Sequence, residues 1–446
     1  MYNMVKRTML MALGMAAVLT AHAQQADTVR AESVYPYNTF DTYRVGGYGE
    51  IVAAWKDYGI NRFSGVQYGN AKKDRAAIAI PRFVVAFDYK LSPKWILGAE
   101  IEFESGGTGT ALELENTENG EYETEIEKGG EVALEQFHVT RLIIPAFNVR
   151  VGHMIVPVGL TNSHHEPNMF FGTVRPEGET TLLPSTWHET GVEFFGMFGK
   201  GLGRFNYQAM IVAGLNANGF DRNGWAGGAK QGFFETDNFT APAYVVRLDW
   251  RGVKGLRVGA SVYHCANIGA NADKYQTYEP YGKIPLTIWS ADAQYTGKYV
   301  TARANIINGH LSKADKVSDA NGMLSNKSPY SRLTPVAERA VTYGGEIGFN
   351  LAAISGMKKC PVLYPFARYE YYNPQERVAG NHTADLRLQT SLWVAGINWQ
   401  PLSGLVVKAD YTTRQIGTGK VFGRGAYNSE NEFAVGVSFT GWLLSK

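Results

Sequence analysis

Two histidine-acid groups stand out when the sequence is read for chemistry: His164-His165-Glu166 and His188-Glu189. Imidazole and carboxylate are both metal ligands. Their spacing lacks the i, i+4 repeat that sets two histidines on one helix face in zinc proteases. They read as polar loop residues, and no metal is assigned. The sequence has no G-x-S-x-G nucleophile elbow and no G-x-x-x-x-G-K phosphate loop. Two cysteines, Cys265 and Cys360, cannot form a four-thiolate site or a disulfide framework. No catalytic residue and no cofactor are therefore assigned.

The charges that remain follow an order. In Tyr244-Val245-Val246-Arg247-Leu248-Asp249-Trp250, Arg247 and Asp249 fall on one parity and Tyr244, Val246, Leu248 and Trp250 on the other. Strand side chains alternate with period two, so one face is charged and the opposite face apolar. Trp289, Ala291, Ala293 and Tyr295 alternate in the same way with Ser290, Asp292 and Gln294. The element that positions these charges is sheet. The composition agrees: 25 Tyr, 22 Phe, 9 Trp and 50 Gly in 446 residues suit an all-β chain.

Sixteen alternating segments are expected, at about 42–56, 75–90, 94–104, 131–144, 147–156, 188–198, 203–214, 241–252, 256–266, 285–296, 298–308, 338–354, 362–372, 389–400, 404–414 and 431–442. The connections between them alternate between long and short throughout. A soluble sandwich has no reason to keep that order. A transmembrane antiparallel β-barrel does, because its extracellular loops are long and its periplasmic turns short. Backbone groups in lipid must be paired, so the sheet has to close. Sixteen strands leave an aqueous lumen rather than a packed interior. An even number puts both termini in the periplasm. No run of about 18 apolar residues follows the N-terminus, which excludes helical spanning.

Lys6 and Arg7, the apolar run Met9 to Leu19 and Ala21-His22-Ala23 form a secretory signal peptide over residues 1–23. Removing Lys6 and Arg7 leaves 41 bases against 41 acids, which excludes a nucleic-acid binder. A periplasmic linker is expected over 24–41 and the outer-membrane barrel over 42–446. Cys265 and Cys360 fall at opposite ends of the barrel, too far apart for a disulfide. Phe433, Val435, Val437 and Phe439 alternate in the last strand, which ends at Trp442 and is followed by Leu443 to Lys446. Residues 111–127 carry seven glutamates between Glu113 and Glu127 and an Asn119-Gly120 turn signal, so they read as an acidic hairpin extending two strands. It would form a vestibule that favours cations, bridge to lipopolysaccharide through a divalent ion, or stand as a solvated surface finger.

The stretch Arg150-Val151-Gly152-His153-Met154-Ile155-Val156-Pro157-Val158-Gly159-Leu160 resembles the R-x-G-x-x-x-x-P-x-G-L signature of phosphate-selective porins of the O and P type, and in particular their Bacteroidetes relatives. Phe170-Phe171-Gly172-Thr173-Val174-Arg175-Pro176-Glu177 is similar to the loop that follows it there, and His188 to Glu193 to the returning strand. The resemblance covers about 45 residues. It implies a sixteen-stranded, trimeric barrel in a Gram-negative outer membrane, with loop 157–187 folded into the lumen.

With the apolar face outward, eleven bases point inward: Arg44, Arg82, Arg150, Arg204, Arg247, Arg251, Arg257, Arg303, Arg368, Lys408 and Arg414. Twelve acids do: Glu50, Asp88, Glu100, Glu102, Glu104, Glu189, Glu193, Asp249, Asp292, Glu346, Glu370 and Asp410. Opposed charges keep a pore wet and polarise it. No excess of bases supports an anion ladder, so phosphate preference is not carried over. The constriction is expected at Arg175, Glu177 and Glu179 on the loop, facing Arg82 and Arg150, with Glu189, Glu193, Arg204, Arg247, Arg303 and Arg368 lining the pore. The sequence thus reads as a passive porin for small hydrophilic solutes or ions, surrounded by lipid and lipopolysaccharide. The alternatives are a channel specific for phosphate, another small anion or a sugar, and an adhesin or assembly partner with a blocked lumen.

Overall fold

The computed structural model describes residues 39–57, 74–116, 122–231, 236–272, 275–326, 328–356, 361–417 and 428–446. Residues 1–23, expected to be a signal peptide, most of the expected 24–41 linker, Asn119-Gly120 with its expected turn, and Cys360 lie outside the described residues. Cys265 is buried and free, with its Sγ 3.3 Å from the Ala241 carbonyl.

Sixteen antiparallel strands form one closed sheet. They are β1 (Tyr43–Asp57), β2 (Asp74–Ala79 and Arg82–Ser92), β3 (Trp95–Asn116), β4 (Tyr122–Ile144), β5 (Phe147–Ile155), β6 (His188–Phe198), β7 (Phe205–Val212) and β8 (Ala243–Trp250). There follow β9 (Leu256–Cys265), β10 (Leu286–Thr296), β11 (Val300–Leu311), β12 (Ala337–Phe349), β13 (Val362–Val378), β14 (Thr390–Leu402), β15 (Leu405–Ile416) and β16 (Asn428–Ser445). Both pieces of β2 pair with β1, through Val52↔Ala79 above and Gly49↔Phe83 below. The break falls at Pro81, which has no N–H to give the ladder. β1 closes the barrel on β16, from Arg44↔Ser445 to Asp57↔Asn431. The final strand therefore runs past Trp442 to Ser445, and the Lys446 carbonyl accepts from the N–H groups of Asp41, Thr42 and Tyr43. β3 and β4 stay paired as far as Asn116↔Tyr122.

Exposure follows the period-two reading. On β8, Tyr244, Val246 and Leu248 are 53%, 55% and 42% exposed, whereas Arg247 and Asp249 are 1% and 6%. Ile51, Phe83, Phe137, Trp289, Tyr343, Trp393 and Val437 continue the apolar outer surface. Arg204 departs from its expected place. It lies in the turn before β7 and is exposed, so it does not join the inner wall.

The interior is not wet throughout, which corrects the expectation of an unpacked lumen. Trp187, Phe220, Trp225, Tyr278 and Val317 from the long connections pack on Val212, Val245, Tyr263, Ile288, Ile307 and Leu392, which the strands turn inward. The expectation failed because inward positions near the long loops are apolar as well as charged. Val245 shares the parity of Arg247.

Candidate pore constriction

The connection between β5 and β6 leaves one wall and is bonded to the other. Two glycines shape its start. At Gly152 (φ 143°) a Cβ would lie 2.1 Å from the Phe137 carbonyl oxygen of the neighbouring strand. At Gly159 (φ 84°) a Cβ would lie 2.2 Å from Glu179 Oε1. Both backbone conformations are open to glycine at little cost.

Glu179 ties the segment to itself. It sits in a one-turn helix, Glu177–Leu182, and is 2% exposed. Its carboxylate accepts from the N–H groups of Leu160 (3.0 Å) and Asn162 (2.6 Å) and from Asn305 Nδ2 (2.8 Å). Burial pushes its pKa up to about 7, against the opposing pull of those backbone N–H groups.

The segment then docks on β12 to β15, roughly half the circumference away. Lys408 Nζ donates to the carbonyls of Phe170 (3.2 Å), Gly172 (2.8 Å) and Pro167, and lies 4.1 Å from the centre of the Phe170 ring. Asp410 accepts from Thr173 N (2.6 Å) and Oγ1 (3.2 Å). Glu346 accepts from Phe171 N (3.3 Å), and Glu370 from Gly178 N (3.0 Å). Arg368 donates to the Val174 carbonyl (3.1 Å) and pairs with Glu370 (2.8 Å). Arg414 Nε donates to Glu177 (3.0 Å), and its Nη2 pairs with the same carboxylate. Burial alone would raise the Glu177 pKa, but the charge and hydrogen bonds of Arg414 outweigh it and hold the group below its ordinary value.

The remaining bases pair along the wall. Arg82 pairs with Glu50 (3.2 Å) and donates to the His165 carbonyl (3.1 Å). Arg150 pairs with Glu193 (2.7 Å), and Arg303 with Glu346. Arg247 bridges Asp249 and Asp292, each 2.9 Å away, and donates to the Gly159 carbonyl (3.3 Å). Glu189 accepts from Trp187 Nε1 (3.0 Å) beside the apolar cluster. Arg175 differs from all of these. It is partly exposed, donates to Thr186 Oγ1 (3.0 Å) and makes no ion pair among the described residues.

The structure therefore separates the three loop residues. Arg175 has Arg82, Glu102 and Glu50 as its electrostatic neighbours. Glu177 is turned to Arg414, and Glu179 is folded into its own loop; neither faces Arg82 or Arg150. A small, partly open cavity lies between the segment (Leu160, His164, Phe170, Pro176) and the wall (Arg303, Asn305, Glu346, Arg368). Sequence reasoning missed Asn162, Asn398, Tyr48 and Glu135. Asn398 faces inward and donates to the Phe171 carbonyl (3.1 Å), and period two could have found it. Asn162 gave no signal. It receives the Trp187 N–H on Oδ1 (2.6 Å) and donates to the Val156 carbonyl (2.7 Å), closing the base of the loop.

Comparison with known proteins places the fold. No family model matches the chain. An uncharacterized protein of Aquifex aeolicus is 24% identical over 374 residues, covering 82% of this chain and 74% of its own. Salmonella typhi OmpF, solved in complex with daunomycin, superposes with a TM-score of 0.54 at 13% identity, over 91% of this chain and 99% of its own. The outer membrane channel DcaP of Acinetobacter baumannii gives 0.50 at 10% identity, over 90% and 97%. None of these matches points to the phosphate-selective O and P type or to a Bacteroidetes relative. The chain has the fold of bacterial outer-membrane porins.

Proposed function

We propose that the chain is a passive porin of a Gram-negative outer membrane. Small hydrophilic solutes and ions would cross between segment 157–187 and the inner wall. The observation that carries this reading is a loop fixed across the barrel by Lys408, Asp410, Glu370 and Arg414, with partly exposed His164 lining a gap between that loop and Arg303, Glu346 and Arg368. Residues fixed by ion pairs do not move with each solute, so the gap is preorganised. The apolar outer surface suits lipid and the lipid part of lipopolysaccharide. Assembly as a homotrimer, with both termini periplasmic, belongs to the same proposal.

Selectivity is proposed to be weak, because most inward bases have a carboxylate within 4.0 Å. The test is single-channel current in a planar bilayer under a KCl gradient, repeated with phosphate. Stepwise currents with a reversal potential near zero are expected. Block by phosphate with an anion-selective potential would replace this reading with an anion-specific channel. Absence of current from folded protein would overturn it in favour of an adhesin or assembly role, a result the apolar packing inside the barrel would then explain.

A further inference from the structure

On the side away from Lys408, the crossing segment meets a group of carboxylates that its own hydrogen bonds do not satisfy. β4 pairs with β3 from Trp95↔Arg141 to Glu100↔Gln136, and then steps to Ile101↔Leu134. Glu135 is the extra residue of this bulge, and bulges re-aim side chains. Leu134 and Phe137 beside it are 48% exposed, whereas Glu135 is fully buried in the barrel. The Tyr48 hydroxyl lies 3.1 and 3.3 Å from its two oxygens. His165 reaches it from the loop, with Nε2 3.3 Å from Glu135 Oε1. Ligand atoms of Glu100, Glu135 and His165 all lie within 4.8 Å of one another.

The imidazole is oriented for a ligand. His165 Nδ1 is 3.1 Å from the Asn162 carbonyl oxygen. A carbonyl only accepts, so Nδ1 carries a hydrogen, which leaves Nε2 as the nitrogen that can serve as a ligand atom. That Nε2 is buried, makes no hydrogen bond and faces a carboxylate oxygen that is itself a lone-pair donor. A positive centre between them removes the conflict. A backbone carbonyl on the remote nitrogen is also how metal-ligating histidines are held. Charge points the same way. Glu50, Glu100, Glu102 and Glu135 are four carboxylates, against Arg82 and the nearby Arg175. Glu102 Oε1 is also buried without a hydrogen bond. A bound divalent cation would offset this excess of carboxylates.

We propose that Glu100, Glu135 and His165 bind a divalent transition-metal cation of the zinc type, which clips segment 157–187 to the barrel wall. The imidazole selects against calcium and magnesium, which take oxygen ligands. Three protein ligands leave a position for water.

The full chain, folded in detergent, is stripped with chelator and titrated with Zn²⁺ by calorimetry, with elemental analysis after dialysis. One Zn²⁺ per chain with micromolar or tighter affinity is expected. His165→Gln and Glu135→Gln should each weaken binding at least about tenfold, while His164→Gln, which keeps all three ligands, should bind within a few-fold of wild type. Heat-modifiable gel migration reports that each variant is folded. No stoichiometric binding, or binding unchanged in His165→Gln, overturns the proposal. Should His165→Gln fail to fold, electron paramagnetic resonance of Cu²⁺-loaded wild type decides. Coupling to one imidazole nitrogen supports the site, and none or several overturns it. The measurement needs no conduction and stands or fails independently of the porin reading.

Discussion

The two walls that hold segment 157–187 are built on different principles. The far wall, β12 to β15, meets it with three acids, Glu346, Glu370 and Asp410, and three bases, Arg368, Lys408 and Arg414. Their partners are backbone carbonyls and N–H groups of the segment, with Glu177 as the one loop charge. The near wall, β1 to β4, offers Glu50, Glu100, Glu102 and Glu135, with Arg82 beside them. A balanced wall can grip a neutral backbone directly. An acidic wall grips it only through Arg82, which donates to the His165 carbonyl, and needs a cation, a proton or an arginine from outside to be stable at low dielectric. The segment is thus fastened at one end by hydrogen bonds and at the other by charge compensation, and each end should fail differently.

The largest effect is expected at the far wall. Lys408→Met keeps the volume but leaves the carbonyls of Pro167, Phe170 and Gly172 buried without their donor, and Asp410 without its neighbouring ammonium. Losing one partner of a buried charged network costs about 3–5 kcal/mol. Urea unfolding from liposomes checks it, and a loss below about 1 kcal/mol would show that the far wall does not fasten the loop.

Next comes the residue between the walls. The Glu179 pKa is pushed up to about 7 in the fold from an ordinary 4.5. Between those values the folded chain holds the proton that the unfolded chain has released. Stability should therefore fall as pH rises through that window, by about 3 kcal/mol, and level off above it. Glu179→Gln cannot titrate and should lose that slope. Unfolding midpoints of both proteins at the two ends of the window measure the difference, and equal slopes would remove Glu179 as the cause.

The near wall was also the less legible one. Period two placed Glu346, Arg368, Glu370, Lys408, Asp410 and Arg414 inward, and all six meet the segment. It also placed Glu50, Arg82, Glu100 and Glu102 inward, and the first, second and fourth of these are at least nine-tenths buried. It missed Glu135 because one bulged residue inverts the parity that the method depends on. His165 read as a polar loop residue because its partners come from β3 and β4, which no local spacing reveals. The same lack of long-range information hid the burial of Trp225 and Tyr278, and it left Glu177 and Glu179 assigned to the wrong wall. What alternation encodes is which way a strand side chain points; which loop arrives to meet it is set by tertiary packing.

A smaller effect sharpens the contrast from the near side. Tyr48→Phe removes one hydroxyl from Glu135 and keeps the ring that packs edge-on against His165, 5.7 Å between centroids. About 1 kcal/mol should be lost, a fraction of the Lys408 effect, because the carboxylate keeps His165 beside it. An equal loss at Tyr48 and Lys408, measured by the same urea titration, would mean that both walls hold by hydrogen bonding and that the difference drawn between them is wrong.

Arg175→Ala should change stability least and selectivity most. Its guanidinium has one hydrogen bond, to Thr186, and no ion pair among the described residues, so the expected change in unfolding free energy is within about 0.5 kcal/mol. Paired charges largely cancel at the distance of a passing ion, so a cation held in no ion pair contributes disproportionately to the local potential. Removing it beside Glu50 and Glu102 leaves that side of the gap negative. The reversal potential under a KCl gradient should then move toward cation selectivity, and Arg175→Lys should restore the wild-type value. If Arg414→Ala, which frees Glu177 on the far wall, shifts the potential more than Arg175→Ala does, ions pass along the balanced wall and not the acidic one.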